Sequence, residues 1–315
     1  ASALAKQHAR TPALARTLMQ PAGITTIGLK AAQWAHALGL GQQRLQSSAR
    51  GGLAVSLGGA IGNLAAHGEH GAAVRAALAE SLSLADPGSS WHTQRENWVA
   101  IACDAGLLAG SISKIANDIA LMTQFEVGEL TEPDVAGRGG SSTMPHKRNP
   151  VLCLRALAAA QAVPSLVAQL LAAMKQEHER ALGNWQAELA AWPRVFVHTY
   201  SAALALALLL EGLQVNAARC QTSIDKLHGV LFADRLAQVF AGCIDKLEAH
   251  ELVAELSRHA LEQQRPLIEL ANECVAGDAR LAAIDLEQIA TCFDLSAAVQ
   301  ASVRAAESLL RAMPR

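Results

Sequence analysis

The sequence predicts an all-α fold, a bundle of long helices over residues 1–227 followed by a smaller C-terminal helical domain over 228–315. Three observations lead there. Apolar residues make up 51% of the 315 positions while aromatics are only 3%, and the filler is Ala and Leu, which favour helix over strand. Apolar residues recur at spacings of three and four, the period of a helix face. The prolines stand at few places, and because Pro breaks helix interiors the gaps between them bound the helices and leave room for long ones.

Taken in order, residues 1–6 hold no signal-type apolar run and no initiator Met, so the chain reads as a fragment. Residues 56–63 (S-L-G-G-A-I-G-N) are Gly-rich but lack the strand and the G-K-[ST] ending of a nucleotide loop, which leaves close helix packing as their expected role. Leu108, Ile112, Ile115, Ile119 and Met122 form a stripe on one helix face, and Val163, Val167, Leu170, Leu171 and Met174 form a second. Residues 195–213 are apolar nearly all round and should be deeply buried, within the fold or between subunits. Interruptions fall at 85–93, 128–150 and 183–193. Beyond Leu227 charge density rises and helices shorten, with a break at 278–286.

Composition also excludes partners. A net charge of −2 supplies no basic field for nucleic acid or an anionic membrane. The longest strongly apolar run, 201–210, is about half of the roughly 20 residues a membrane span needs. Six scattered cysteines without a C-x-x-C pair or zinc spacing read as free thiols of a reducing cytoplasm. With no haem motif and no Rossmann fingerprint either, neither metal nor cofactor is expected.

The interruption at 128–150 is too long for an ordinary connection and holds Gly128, Pro133, Gly137, Gly139, Gly140 and Pro145. Its glycines permit backbone conformations in which successive N–H groups converge on an anion, and Ser141 and Ser142 sit in that concavity. Lys147 adds a mobile positive charge and Asn149 an amide, while Pro145 and Pro150 stiffen the return. Such a cradle suits a serine held as an oxyanion that removes a proton from carbon beside a carboxylate. The competing reading is an ordinary Ser/Gly/Pro surface loop.

Gly140, Ser141, Ser142, Met144, Pro145, Lys147, Asn149 and Pro150 together match G-S-S-x-M-P-x-K-x-N-P, and on these eight positions the chain resembles the fumarase/aspartase superfamily. The flanking text is similar to the bacterial 3-carboxy-cis,cis-muconate cycloisomerase family: Thr11-Pro12 with Arg16-Thr17, Gly28-Leu29-Lys30, Trp91-His92-Thr93-Gln94-Arg95, His146-Lys147-Arg148, Gln176-Glu177-His178-Glu179-Arg180, and Leu182-Gly183. The resemblance implies Ser141 as base, Lys147 and Asn149 in contact with substrate, and Gly140, Ser142 and Met144 lining the site. It further implies a homotetramer whose active sites gather segments from three subunits, among them Thr17 and Gln20, and an N-terminal domain that this chain lacks. Asn63 would stand on a turn lining the pocket.

One departure bears on the reaction. Many of these lyases carry a T-H-x-Q element whose His is a general acid, and Thr17-Leu18-Met19-Gln20 stands in its place. Expelling an amine or hydroxide benefits from that acid, whereas opening a lactone expels a carboxylate, stable unprotonated because its pKa is about 4. Lactone chemistry is therefore expected, with an adenylosuccinate-lyase-like β-eliminase and a non-catalytic helical scaffold as alternatives. Against the eliminase, Ala181-Leu182-Gly183-Asn184 lacks a phosphate-binding set of Ser and Arg. A tricarboxylate substrate needs cations, for which Arg95, Arg180 and His178 are the main candidates and Arg16, Arg138, Arg148 and His92 secondary ones.

Overall fold

A computed structural model of the chain describes residues 1–134 and 139–314. Its helices in chain order are α1 (Ser2–Gln7), α2 (Ile27–Gly52), α3 (Gly71–Leu82), α4 (Glu96–Met122), α5 (Val151–Ala172), α6 (Asn184–Glu211), α7 (Ala217–Asp225), α8 (Ala233–Phe240), α9 (Lys246–Gln263), α10 (Leu267–Gly277), α11 (Leu286–Cys292) and α12 (Leu295–Arg311). Strands are few: β1 (Pro12–Thr17), β2 (Gln20–Thr26), and the two-residue β3 (Leu130–Thr131) and β4 (Gln214–Val215). The all-α class holds.

Two compact units divide the chain, both discontinuous: one of residues 1–35, 124–129 and 215–312, the other of 36–123, 130–214 and 313–315. In the second unit α4, α5 and α6 pack on one another. Along α4 the predicted stripe is buried at Ile112, Ile115, Ile119 and Met122, with Leu108 half-buried. Along α5 the buried face is Leu152, Ala156, Ala160, Val163, Leu166 and Leu170, while Leu171, placed on it by the sequence, is half exposed and Met174 lies past the helix end. Each such Leu or Ile contributes about 1.5–3 kcal/mol by leaving water.

Three expectations are corrected. Pro164 and Pro193 lie inside α5 and α6, so proline does not bound these helices, and the third interruption is 173–183 rather than 183–193. Residues 53–64 are irregular chain instead of a helix-packing segment. Averaged hydropathy, unlike the count of an unbroken run, marks α4, α5 and α6 as long and apolar enough to cross a membrane, with 44%, 33% and 33% of their most apolar windows buried within the chain. The segment 195–213 is buried within the chain on one face, at Val195, Ala202, Ala205, Leu206 and Leu209, while Phe196, Val197, Tyr200, Leu204 and Leu208 of α6 are exposed.

In the first unit β1 and β2 form an antiparallel hairpin, from Pro12 opposite Thr26 to Thr17 opposite Gln20, with an irregularity at Ala15/Arg16. Pro12, Pro21 and Gly23 disfavour helix here, and the β-branched run Ile24-Thr25-Thr26 favours strand. Its two-residue turn, Leu18 and Met19, has positive φ at both positions (49° and 67°), the geometry whose twist suits a hairpin but which side chains disfavour. The short helices α8 to α11 enclose a core of Leu236, Phe240, Val253, Leu267, Leu281 and Ile289, with the expected break between α10 and α11.

Candidate functional site

The 139–150 loop turns on hydrogen bonds within itself. Gly139 adopts φ 76°, its carbonyl accepts from Asn149 N–H at 2.8 Å, and a Cβ there would sit 3.0 Å from the Asn149 carbonyl oxygen. Ser141 Oγ accepts the N–H of Met144 at 3.1 Å and of Thr143 at 3.4 Å. Two backbone dipoles therefore point at the hydroxyl oxygen, an arrangement that favours negative charge there. Among the described residues the Lys147 side chain makes no hydrogen bond, and Ser142, Met144 and Lys147 are exposed.

Glu132, which the sequence reading passed over, ties this loop to the helix that follows. Pro150 precedes α5 and has no side-chain oxygen to cap it, and Glu132 supplies the acceptors instead, at 2.9 Å to Leu152 N–H and 2.7 Å to Cys153 N–H. A carboxylate at a helix N-terminus also complements the helix dipole. Burial, with Glu132 beside it, pushes the Cys153 thiol well up, so it is inert. Glu132, Asp134, Arg148 and Asn149 line a cavity of about 360 Å³ whose lining does not include Ser141. Arg148 pairs with Asp134 at 2.5 Å, and Arg138 lies outside the described residues.

A second group of candidates meets elsewhere in the same unit. Arg95, buried at the start of α4, points its fork at Glu188 of α6, with Nε to Oε1 at 3.1 Å and Nη2 on Oε2, and its guanidinium lies over the Trp91 ring. Gln176 donates to the same carboxylate at 3.2 Å. The donors that sequence reasoning offers to a substrate carboxylate are thus held by a protein carboxylate. Glu188 had a signal, a lone acid among the apolar residues of 184–193. Arg180 instead is exposed: its Nη2 donates to Gly59 O at 3.0 Å and lies 3.2 Å from His92 Nδ1. Arg180, His92, Arg95, Trp185 and the 56–59 turn line a cavity of about 210 Å³. Gly58 is tightly enclosed, since a Cβ would come within 2.9 Å of Ser90 Oγ and 3.1 Å of His92 Cε1 and would have to displace them.

The remaining candidates stand apart from these two groups. His178 is exposed, at φ 48°, and lines neither cavity. Asn63 accepts from Ala65 N–H at 3.1 Å, closing its own turn. Thr17 and Gln20 face each other as the exposed last pair before the hairpin turn, in the other compact unit. Arg16 beside them forks onto the fully buried Glu129, at 3.1 and 2.8 Å, anchoring the turn end of the hairpin.

The model of a lyase family matches residues 1–165. The chain is 40% identical over its whole length to a 3-carboxy-cis,cis-muconate cycloisomerase of Bradyrhizobium diazoefficiens, spanning 69% of that protein. It is 44% identical over 285 residues, 90% of its length, to one of Pseudomonas aeruginosa, spanning 62%. The chain belongs to the 3-carboxy-cis,cis-muconate cycloisomerase family of lyases. The crystal structure of the 3-carboxy-cis,cis-muconate lactonizing enzyme of Pseudomonas putida superposes with a TM-score of 0.85 at 37% identity, covering 98% of this chain and 69% of that one. The chain spans roughly two thirds of the length of these three relatives.

Proposed function

We propose that the protein interconverts 3-carboxy-cis,cis-muconate and 4-carboxymuconolactone, a step of protocatechuate breakdown in the cytoplasm. In the lactone-opening direction Ser141, as the oxyanion, takes the proton from the carbon beside a carboxylate. The electron pair forms the new C=C bond, and the C–O bond of the lactone breaks to release the second carboxylate. Nothing else enters or leaves, and no cofactor enters the proposed scheme. In the forward direction the released carboxylate adds back and Ser141 returns its proton. Lys147 and Asn149 hold the activated carboxylate, with Gly140, Ser142 and Met144 shaping the loop around it, and Thr17 and Gln20 enter from the hairpin of another subunit. His178 and Arg180 meet the remaining carboxylates. Arg95 acts one step back, holding Glu188 and the wall that carries Arg180.

The observation that carries this reading is the Ser141 hydroxyl accepting two backbone N–H groups inside the G-S-S-x-M-P-x-K-x-N-P loop of a chain 40–44% identical to named cycloisomerases. Leu18, in place of an acid, fits a leaving group that needs no proton. The apolar faces that α5 and α6 leave exposed fit the helix-to-helix contacts of a homotetramer. Incubating purified full-length protein separately with the carboxymuconate and with adenylosuccinate, followed by absorbance, tests it. Loss of the muconate alone is expected; cleavage of adenylosuccinate alone would transfer the assignment to the eliminase.

A further inference from the structure

Two arginines line the 210 Å³ cavity, and they differ in what they can still bind. Arg95 has all three nitrogens engaged: Glu188 takes Nε and Nη2, and the Trp91 carbonyl takes Nη1 at 3.4 Å. Arg180 uses only Nη2, on Gly59 O and His92 Nδ1, and among the described residues its Nε and Nη1 make no hydrogen bond. A guanidinium is a donor only, so Nδ1 of His92 must be the acceptor and the ring proton must sit on Nε2. The contact therefore exists only while the imidazole is neutral.

We propose that His92 is a positioning residue, which in its neutral form fixes the Arg180 guanidinium so that Nε and Nη1 face the cavity and receive a substrate carboxylate. This rests on the carboxylate-bearing substrate proposed above. A long exposed side chain otherwise samples many rotamers, and fixing it beforehand removes part of the entropy lost on binding. Gly58 and Gly59 suit the geometry: a Cβ at Gly58 would press on the ring at 3.1 Å, and Gly59 offers its carbonyl as the second acceptor.

The ring's surroundings keep it neutral. The charged groups facing it are Arg180, from the 173–183 segment, and Arg95, at the start of α4; Glu188 of α6 is held in the Arg95 fork, and neither the 56–59 turn nor Trp185 adds charge. Burial first, then Arg180 and Arg95, lower the imidazole pKa from its ordinary value. Protonation at acid pH removes the acceptor and sets a third cation beside two others, releasing Arg180. Substrate affinity is thus present at neutral pH and lost as pH falls through the depressed pKa.

The test compares full-length parent, His92→Asn and His92→Phe by KM and kcat from neutral pH down past the acid end of the ordinary imidazole range, because the His92 pKa is lowered. Citrate titrations followed by tryptophan fluorescence accompany it, since Trp185 lines the cavity and Trp91 lies under Arg95. For the parent, KM should climb by about tenfold per pH unit on the acid side, with kcat nearly level. Phe, with no acceptor, should raise KM about 10–100-fold at neutral pH. Asn keeps an acceptor near the Nδ1 position and does not titrate, so it should restore KM to within about threefold and abolish the acid rise. A folded Phe variant with the parent's KM, an Asn variant as weak as Phe, or one that keeps the acid rise would overturn the proposal. If no form consumes the carboxymuconate, the substrate reading fails by itself and citrate affinity decides: weakening in Phe with recovery in Asn supports the positioning role, and equal affinity in all three overturns it.

Discussion

At the scale of single residues, the site separates side chains that face the solvent from those that hold the frame. Arg95 and Glu188 belong to the frame: both are almost fully buried, and their fork joins α6 to the turn before α4. Removing one partner strands the other charge without water. Glu188→Ala should lower unfolding stability by about 3–5 kcal/mol, measured by urea denaturation, whereas an exposed pair such as Arg258 and Glu262 should contribute at most about 1 kcal/mol. The loop motif that carries Ser141, Lys147 and Asn149 was legible in the sequence because eight spaced residue types are hard to match by accident. Glu132, His92 and Glu188 were less so, because a cap or an ion-pair partner depends on which distant segments meet, and sequence spacing does not carry that. The Arg95–Glu188 pair was hidden for the same reason, the two residues standing 93 positions apart.

Among elements, periodicity found the helices and composition hid the hairpin. The stripe on α4 was readable because every third or fourth residue is large and apolar in an otherwise small-residue helix. The β1–β2 hairpin is only 15 residues long, its alternation diluted by Ala and Pro, and its turn uses Leu18 and Met19 where Gly or Asn would signal one. That turn is conformationally costly, and Leu18 is 96% exposed, so no packing within the chain repays it. Met19→Gly, which relieves one left-handed side chain at some entropic cost, should stabilise the chain by about 0.5–1 kcal/mol, seen as a rise in Tm. A lowered Tm would mean that the Met19 side chain makes contacts in the folded protein beyond those within one chain. Proline was misleading inside α5 and α6, where neighbouring helices hold the backbone helical despite the missing N–H.

For the whole molecule, the balance of apolar surface matters most. Helices α4 to α6 are apolar enough for a bilayer yet less than half buried within one chain, and Leu154, Leu171, Leu189, Val197 and Tyr200 lie exposed on α5 and α6. So many large apolar side chains left in water on two neighbouring helices are what a subunit interface would cover. Sedimentation of the full-length protein should give four copies per particle, and Val197→Glu with Leu204→Glu should shift it to smaller species; a monomer in detergent-free buffer would contradict the assembly. The all-α class was evident from Ala and Leu content, while the division into two discontinuous units was not, since residues 1–35 join 215–312 only through tertiary contacts. The most direct test of the central claim is turnover of 3-carboxy-cis,cis-muconate by full-length Ser141→Ala beside the parent at equal helicity and sedimentation. Loss of the serine base should lower kcat by about 10²–10⁴-fold, while a variant that turns over at the parent's rate would contradict the assignment of the reacting group.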